Sequence, residues 1–136
     1  MIQEEKDLLL KDLCGRLPYY TELYTNFSDN NWAILTPVII SNLISAANDM
    51  VLKPYLRPMS DMTIKETREF LSIANDASNG NLLSFATQDW LNAHHFDYRR
   101  LIEKGLALEA PENMYLIVWI IICWEKIMLV LKRQNY

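Results

Sequence analysis

Apolar residues recur along the chain at helical spacing in some segments and alternate with polar residues in others. The first apolar positions at helical spacing are Ile2, Leu9, Leu10 and Leu13. They predict an amphipathic N-terminal helix, with Gly15 in the left-handed position after its last residue and Pro18 preventing resumption. The alternation of β-prone side chains from Tyr20 to Phe27 predicts a strand, and residues 28–31 have the composition of a turn.

The segment after this turn is ambiguous between helix and strand. Trp32 to Leu35 predicts a short strand, and Thr36 is then placed to cap a helix beginning at Pro37, where a proline loses no hydrogen bond. The apolar face of that helix would be Ile39, Ile40, Leu43, Ile44 and Ala47, with Asn48 closing it. The same run is rich in β-branched residues, which suit a buried strand equally. The spacing slightly favours the helix, and both alternatives stay open.

Two prolines and a capping motif organise the centre of the chain. Residues 53–58 should be extended before each proline, which predicts a stiff connector with a cation at each end. Thr63 and Glu66 have the spacing of a capping box, so we expect a helix from there to about Ala74. The side chains expected to be buried by this helix are Ile64, Phe70, Leu71 and Ala74.

Short elements are predicted after a loop over 76–81. Thr87 is expected to cap a short helix carrying Trp90 and Leu91. Asp97 is expected to cap another helix, over 98–104, which Gly105 ends. Residues 106–108 are apolar and extended as far as Pro111.

The C-terminal tail differs in composition from the rest of the chain. Residues 115–131 contain only Glu125 and Lys126 as charged residues, and as a helix they would span about 25 Å. The free energy of inserting this segment into a bilayer is near zero or unfavourable. Ten Leu, Ile and Val residues contribute about −3 to −6 kcal/mol, while two central charges cost about +5 to +7 kcal/mol. The alternatives are a buried strand over 116–124, a membrane segment over 116–131, or the product of a frameshift. We expect the tail to pack on the body or to associate rather than to span a membrane.

These elements predict an α+β fold: an N-terminal helix, short central strands, several short C-terminal helices and an apolar tail. A chain of 136 residues is long enough for one core and too short for two ordinary domains, so we assign residues 1–115 to one domain and 116–136 to the tail. Residues 1–114 hold ten Lys/Arg against sixteen Asp/Glu, which argues against wholesale binding to a phosphate backbone. Two cysteines and an acidic N-terminus favour a reducing, cytoplasmic setting without a signal peptide, with membrane association as the alternative.

Few residues have the pattern of a catalytic or metal site. His94 and His95 are adjacent, so they do not share a helix face, and with Asp89 and Asp97 they are more typical of a solvated connection than of a metal site. Cys14 has only a nearby arginine to activate it, so a buried, inert thiol is the better interpretation. No metal, no cofactor and no catalytic residue is predicted, and we expect the protein not to be an enzyme.

A basic, aromatic patch is the one candidate binding surface. Its members are Lys53, Tyr55, Arg57, Arg99 and Arg100. Such a patch can hold a nucleic-acid strand, although cations on an acidic body more often pair with nearby carboxylates.

Three blocks carry a resemblance to a known group of proteins: LLLKDLCGRLPY over 8–19, KPYLRPMSDMT over 53–63, and DWLNAHHFDYRRLIEKGLALEAPENMY over 89–115. The chain resembles a family of small uncharacterised proteins of gut bacteria, including phage-like and mobile regions. The family pattern has glycine where this chain has Tyr20, Arg100 and Asn113, and it ends soon after Tyr115. The resemblance implies no activity.

The hypotheses for function come from three classes. The first is a small non-enzymatic binding or accessory protein, from a phage or mobile element, that contacts a protein partner of unknown identity. The alternative is a membrane-associated protein anchored through residues 116–131. A second alternative is a weak nucleic-acid-binding or metal-binding module.

Overall fold

The computed structural model describes residues 1–45, 49–76 and 85–134, and within them the α+β prediction is confirmed. The helices are α1 (Gln3–Arg16), α2 (Pro37–Ser45), α3 (Ile64–Asp76), α4 (Phe85–Ala93) and α5 (Met114–Gln134). The strands are β1 (Glu22–Thr25), β2 (Trp32–Ile34), β3 (Leu52–Leu56) and β4 (Leu108–Glu109). Two 3-10 helices, Leu17–Tyr19 and Met59–Asp61, follow α1 and β3.

The strands form one mixed sheet in the order β2-β1-β3-β4. β1 is antiparallel to β2 and β3, whereas β3 and β4 are parallel. Residues 53–58 are extended as predicted, but the interpretation as a connector is wrong, because most of the segment belongs to a strand paired on both sides. Pro54 is tolerated in β3 since it lies opposite Leu23, and β4 pairs only from Tyr55 onward.

The hydrophobic core lies between one face of this sheet, the helices α1 and α2, and the chain over 101–107. Its members are Leu9, Leu13, Leu23, Leu35, Ile40, Leu43, Leu52, Leu56, Leu101, Leu106 and Ala107. Each large aliphatic side chain buried here stabilises the fold by about 1.5–3 kcal/mol. Segments from both ends of the body therefore depend on the same core.

The end of α1 differs from the prediction. The helix runs through Gly15 to Arg16, and the 3-10 turn that contains Pro18 follows at once, because proline fits the first turn of a helix. A Cβ at Gly15 would lie 3.0 Å from the side-chain nitrogen of Asn92, so this glycine permits close approach of α1 and α4. The left-handed residue is Tyr20, with φ of 56°.

The helix predicted after β2 is confirmed. The backbone N–H of Ile39 donates to Oγ1 of Thr36 at 3.3 Å, which is the expected cap of a helix beginning at Pro37. Ile40 and Leu43 are buried, but Ile44 is 61% exposed. The buried face of α2 is therefore narrower than the apolar face predicted from the sequence. Ala47 and Asn48 lie outside the described residues.

The capping box at the start of α3 is confirmed on both sides. The N–H of Glu66 donates to Oγ1 of Thr63 at 3.1 Å, and the N–H of Thr63 donates to the carboxylate of Glu66 at 3.1 Å. Of the predicted buried side chains, Ala74 is buried, whereas Ile64 and Leu71 are exposed because α3 contacts the body along a narrower stripe than its apolar residues cover.

Two other predicted helix starts are wrong. Thr87 lies inside α4 and is fully buried rather than capping the helix. The chain over 98–105 forms successive turns rather than a helix, although the carboxylate of Asp97 does accept the N–H groups of Leu101 and Ile102 at 2.8 and 3.0 Å. The left-handed φ of 59° at Arg100 is incompatible with a continuous right-handed helix.

The apolar tail is helical, so the strand interpretation of residues 116–124 is wrong. α5 extends for 21 residues. Tyr115, in its first turn, is buried and hydrogen-bonds to β1 and β3. The side chains described beyond Trp124 are exposed, including all five from Ile127 to Leu131. Among the residues described, no helix is long and apolar enough to cross a membrane.

Candidate functional site

A cavity of about 690 Å³ opens where the end of β3, the start of α3 and the start of α5 meet. Its walls come from the segments 53–63 and 89–115 and from Glu66 in α3. The side chains that decide its chemistry are Arg57, Glu66, His94, His95, Tyr115 and the acidic residues Asp61, Glu109 and Glu112. The cavity is built because residue 57 pairs with residue 96 just beyond β3, which brings the two histidines beside the capping box of α3.

One wall of the cavity is a half-buried ion pair. Nη1 and Nη2 of Arg57 each donate to one carboxylate oxygen of Glu66, both at 2.8 Å. The same guanidinium lies 4.2 Å from the ring centroid of Phe96 and also donates to the carbonyl of His94 at 3.3 Å. The hydrogen bonds from Arg57 lower the pKa of Glu66 to about 2. The carboxylate is thus held by both its capping box and this arginine.

His95 is the most unusual polar residue of the cavity. Its side chain is 2% exposed, its backbone has a left-handed φ of 62°, and its carbonyl accepts the N–H of Arg57 at 2.7 Å. Burial, together with the positive charges of Arg16 and Arg57, lowers its pKa to about 3, so the imidazole is neutral at physiological pH. Among the residues that the structure describes, its buried Nδ1 has no hydrogen-bond partner. A buried polar atom left unpaired is costly to stability.

The two histidines point to different neighbours, as their adjacency in sequence predicts. The ring of His94 stacks on Trp90 with centroids 4.0 Å apart, and its Nδ1 lies 2.8 Å from the carbonyl oxygen of Trp90. The ring of His95 stacks on Tyr115, with centroids 3.5 Å apart. No group of three His, Cys, Asp or Glu side chains that could hold a metal ion occurs in the described part of the chain.

Tyr115 joins the cavity to the sheet. Its hydroxyl donates to the carbonyl of Tyr55 at 2.5 Å and accepts the N–H of Glu22 at 3.1 Å. It therefore bridges β1 and β3 beyond their last direct pair, Leu23 with Pro54. Burial raises the pKa of the hydroxyl, so it remains protonated and can donate.

The rim of the cavity is acidic. Asp61, Glu109 and Glu112 are exposed, and none of them belongs to a salt bridge among the residues that the structure describes. The whole lining carries four carboxylates against the single guanidinium of Arg57. The nearby N-terminus of α5 adds about half a positive charge, which is too little to reverse this balance.

The structure does not bring the predicted basic patch together in one place. Lys53, Tyr55 and Arg57 alternate with buried residues and so share one face of β3 and its continuation. Three of the predicted cations line three different cavities. Lys53 lines one of about 320 Å³, Arg57 lines the acidic cavity, and Arg100 lines a third. Arg99 lies 3.3 Å from the carboxylate of buried Asp12, so two of the four cations have carboxylate partners.

A second arginine, Arg16, was not predicted to be buried. Its guanidinium is fully buried and donates to Asp12 at 2.7 Å and to the carbonyl of Phe96 at 2.7 Å, which ties α1 to the segment after α4. Cys14, two residues earlier, is exposed, so the prediction of a buried thiol is wrong. The helix turns its charged pair inward and its cysteine outward because positions 12 and 16 share the face that carries Leu9 and Leu13.

Sequence patterns did not single out the acidic rim or the unpaired nitrogen of His95. The rim residues are spread over 61–112, and only the adjacency of β3 and β4 unites them. The signal present in the sequence is the pair of acidic residues flanking Pro111. No family model, no characterised protein and no solved structure matches this chain.

Proposed function

We propose that this protein is a non-enzymatic binding module whose acidic cavity takes a positively charged peptide segment of a protein partner. One observation carries the proposal: the exposed carboxylates of Asp61, Glu109 and Glu112 rim a cavity that His95 also lines. The carboxylates support a cation at the mouth of this cavity.

Two parts of the cavity favour different groups of the same ligand. Burial and the nearby arginines lower the pKa of His95, which lines the cavity, so the group that lies against this neutral ring should itself be neutral. A peptide bond is neutral and offers both an N–H and a carbonyl for hydrogen bonds. The cationic side chain of a Lys or Arg in the same segment would then lie against the exposed carboxylates.

The expected affinity is modest. A cavity of about 690 Å³ has room for a short peptide segment and falls in the range of small-ligand sites. Exposed ion pairs contribute about 0.2–1 kcal/mol each and a neutral hydrogen bond about 0.5–1.5 kcal/mol. We therefore expect a dissociation constant of about 10 mM for a tripeptide, and tighter binding for a longer partner segment.

The test is an NMR titration of the full chain with acetyl-Gly-Arg-Gly-amide. Binding should shift the backbone amides of residues 109, 110 and 112–115, while the charge-reversed peptide acetyl-Gly-Glu-Gly-amide should not bind. Replacing both rim glutamates in Glu109→Gln/Glu112→Gln should raise the dissociation constant about 2- to 30-fold. The control is Glu103→Gln, which removes an exposed carboxylate that lines another cavity.

A second variant separates the rim from the buried ring. His95→Phe keeps an aromatic ring against Tyr115 and leaves the rim carboxylates in place, so it should change the dissociation constant less than Glu109→Gln/Glu112→Gln does. Equal binding of the two peptides, or equal effects of the rim and control variants, would contradict the proposal.

A further inference from the structure

The C-terminal half of α5 has two distinct faces. Trp124, Ile127 and Leu131 recur at the spacing i, i+3, i+7 and are 49–62% exposed, with Met128 beside them. The charged residues of this half share the opposite side of the helix, because each of them lies three or four residues from position 129. The charged positions are Glu125, Lys126, Lys132 and Arg133.

We propose that α5 associates with α5 of a second copy of this chain, through a seam formed by Trp124, Ile127 and Leu131. The spacing of these residues alternates three and four along the chain, as in the seam of helices that pair with one another. The sequence continues the same spacing toward the N-terminus with Ile120 and Ile117. The seam positions from 117 to 131 thus span about two heptads within the 21 residues of α5.

The positions of the charges favour this occupant over a lipid bilayer. Pairing along the seam covers the apolar face while every charged position of the helix stays on the side facing water. Insertion into a bilayer would instead desolvate Glu125 and Lys126 near the middle of the helix. The body of the same chain does not cover the seam, since the described side chains from Ile127 to Arg133 are all exposed.

The helix also offers a matched control for the seam. Leu129 is 58% exposed and Leu131 is 49% exposed, so the two leucines are similar in chemistry and surroundings. Leu131 lies in the seam, whereas Leu129 lies four residues after Glu125 and therefore on the charged side. Only an association that depends on one face of the helix can distinguish them.

The test is sedimentation equilibrium of the full chain and of two variants, Leu131→Asn and Leu129→Asn, over about 1–200 µM. The wild-type chain should form dimers or a higher closed assembly, Leu131→Asn should weaken association by about tenfold or more, and Leu129→Asn by less than about threefold. A chain that stays monomeric over this range, or equal effects of the two variants, would overturn the proposal.

A flotation assay with neutral phosphatidylcholine vesicles separates the seam from a lipid-binding helix. The wild-type chain should stay in the aqueous fraction. Flotation with the vesicles, weakened equally by both leucine variants, would mean that lipid rather than a second copy covers α5, and would overturn the proposal.

Discussion

The interior around Arg16 and the cavity around Arg57 each contain an arginine–carboxylate ion pair, but the two pairs differ in burial. Both arginines bind one carboxylate and one backbone carbonyl of the 94–96 segment, and both lie near an aromatic ring. The pair of Arg16 with Asp12 has no exposed side-chain surface, whereas the side chains of Arg57 and Glu66 are 25% and 16% exposed. The first pair locks two elements together, and the second forms the wall of a cavity that water and ligands can reach.

Burial decides what each pair contributes. A fully buried ion pair gains little net stability over an apolar pair, but losing one partner leaves a charge without solvent. A half-buried pair keeps part of its hydration, so losing one partner is less costly. The two sites should therefore respond very differently to the same substitution.

The largest effect is expected from Arg16→Met. The variant leaves the carboxylate of Asp12 buried with only the more distant Arg99, and should lower the free energy of unfolding by about 3–5 kcal/mol in urea denaturation. The double variant Asp12→Leu/Arg16→Met removes both charges and should recover most of that loss. A double variant as unstable as Arg16→Met would contradict this interpretation.

Arg57→Met should lower the free energy of unfolding by about 1–2 kcal/mol, a value between exposed ion pairs and buried charged hydrogen bonds. The smaller loss follows because Glu66 keeps its capping hydrogen bonds with Thr63 and remains in contact with water. Urea denaturation of the two arginine variants at the same pH compares the sites directly, and equal losses would remove the distinction between them.

The ion pair of Arg57 with Glu66 also predicts that the free energy of unfolding falls at acidic pH. The pKa of Glu66 is lowered to about 2, below its ordinary value of 4.5, so its contribution is complete above about pH 4.5 and is lost as the pH falls toward 2. Glu66→Gln should flatten the profile of unfolding free energy between pH 5 and pH 2 relative to the wild type. An unchanged slope would show that the ion pair does not control this fall.

Tyr115→Phe should lower the free energy of unfolding by about 0.5–1.5 kcal/mol, because the hydroxyl bridges β1 and β3. The local readout is hydrogen exchange of the Glu22 amide, which donates to this hydroxyl and should exchange faster in the variant. The amide of Leu35, which donates to the carbonyl of Thr21 in the same region, is the control and should change less.

The smallest effect concerns an arginine that belongs to neither site. Arg100 is exposed and has a left-handed φ of 59°, so Arg100→Gly should stabilise the protein by about 0.5 kcal/mol. The left-handed backbone costs a residue other than glycine about 1–2 kcal/mol. Glycine avoids this cost but loses about 0.5–1 kcal/mol more chain entropy on folding. Lys104→Gly, at an exposed turn residue without positive φ, should destabilise instead. Melting temperatures of the two variants check the sign.

Residues other than glycine occupy several left-handed positions. Tyr20, Arg100 and Asn113 adopt φ of 56°, 59° and 65°. The turn into β1 therefore forms although its left-handed residue is a tyrosine. At His95 the left-handed backbone is held by tertiary contacts with Arg57 and Tyr115.

Features that depend on neighbours along the chain could be predicted from the sequence alone. The caps at Thr36 and at Thr63 with Glu66, the extended backbone before Pro54 and Pro58, and the α+β class follow from short-range hydrogen bonding and φ restriction. These rules act over about four residues, so a single sequence contains all that they need.

Which side chains are buried and which contact one another depends instead on tertiary packing. It placed a charged pair, Asp12 with Arg16, in the interior while leaving Ile64 exposed, and it made residues 52–56 a central strand. It also gathered the acidic rim around His95 from segments up to 51 residues apart. Burial and juxtaposition depend on how whole elements pack, and the free energy of that packing is shared over the core rather than written in any local pattern.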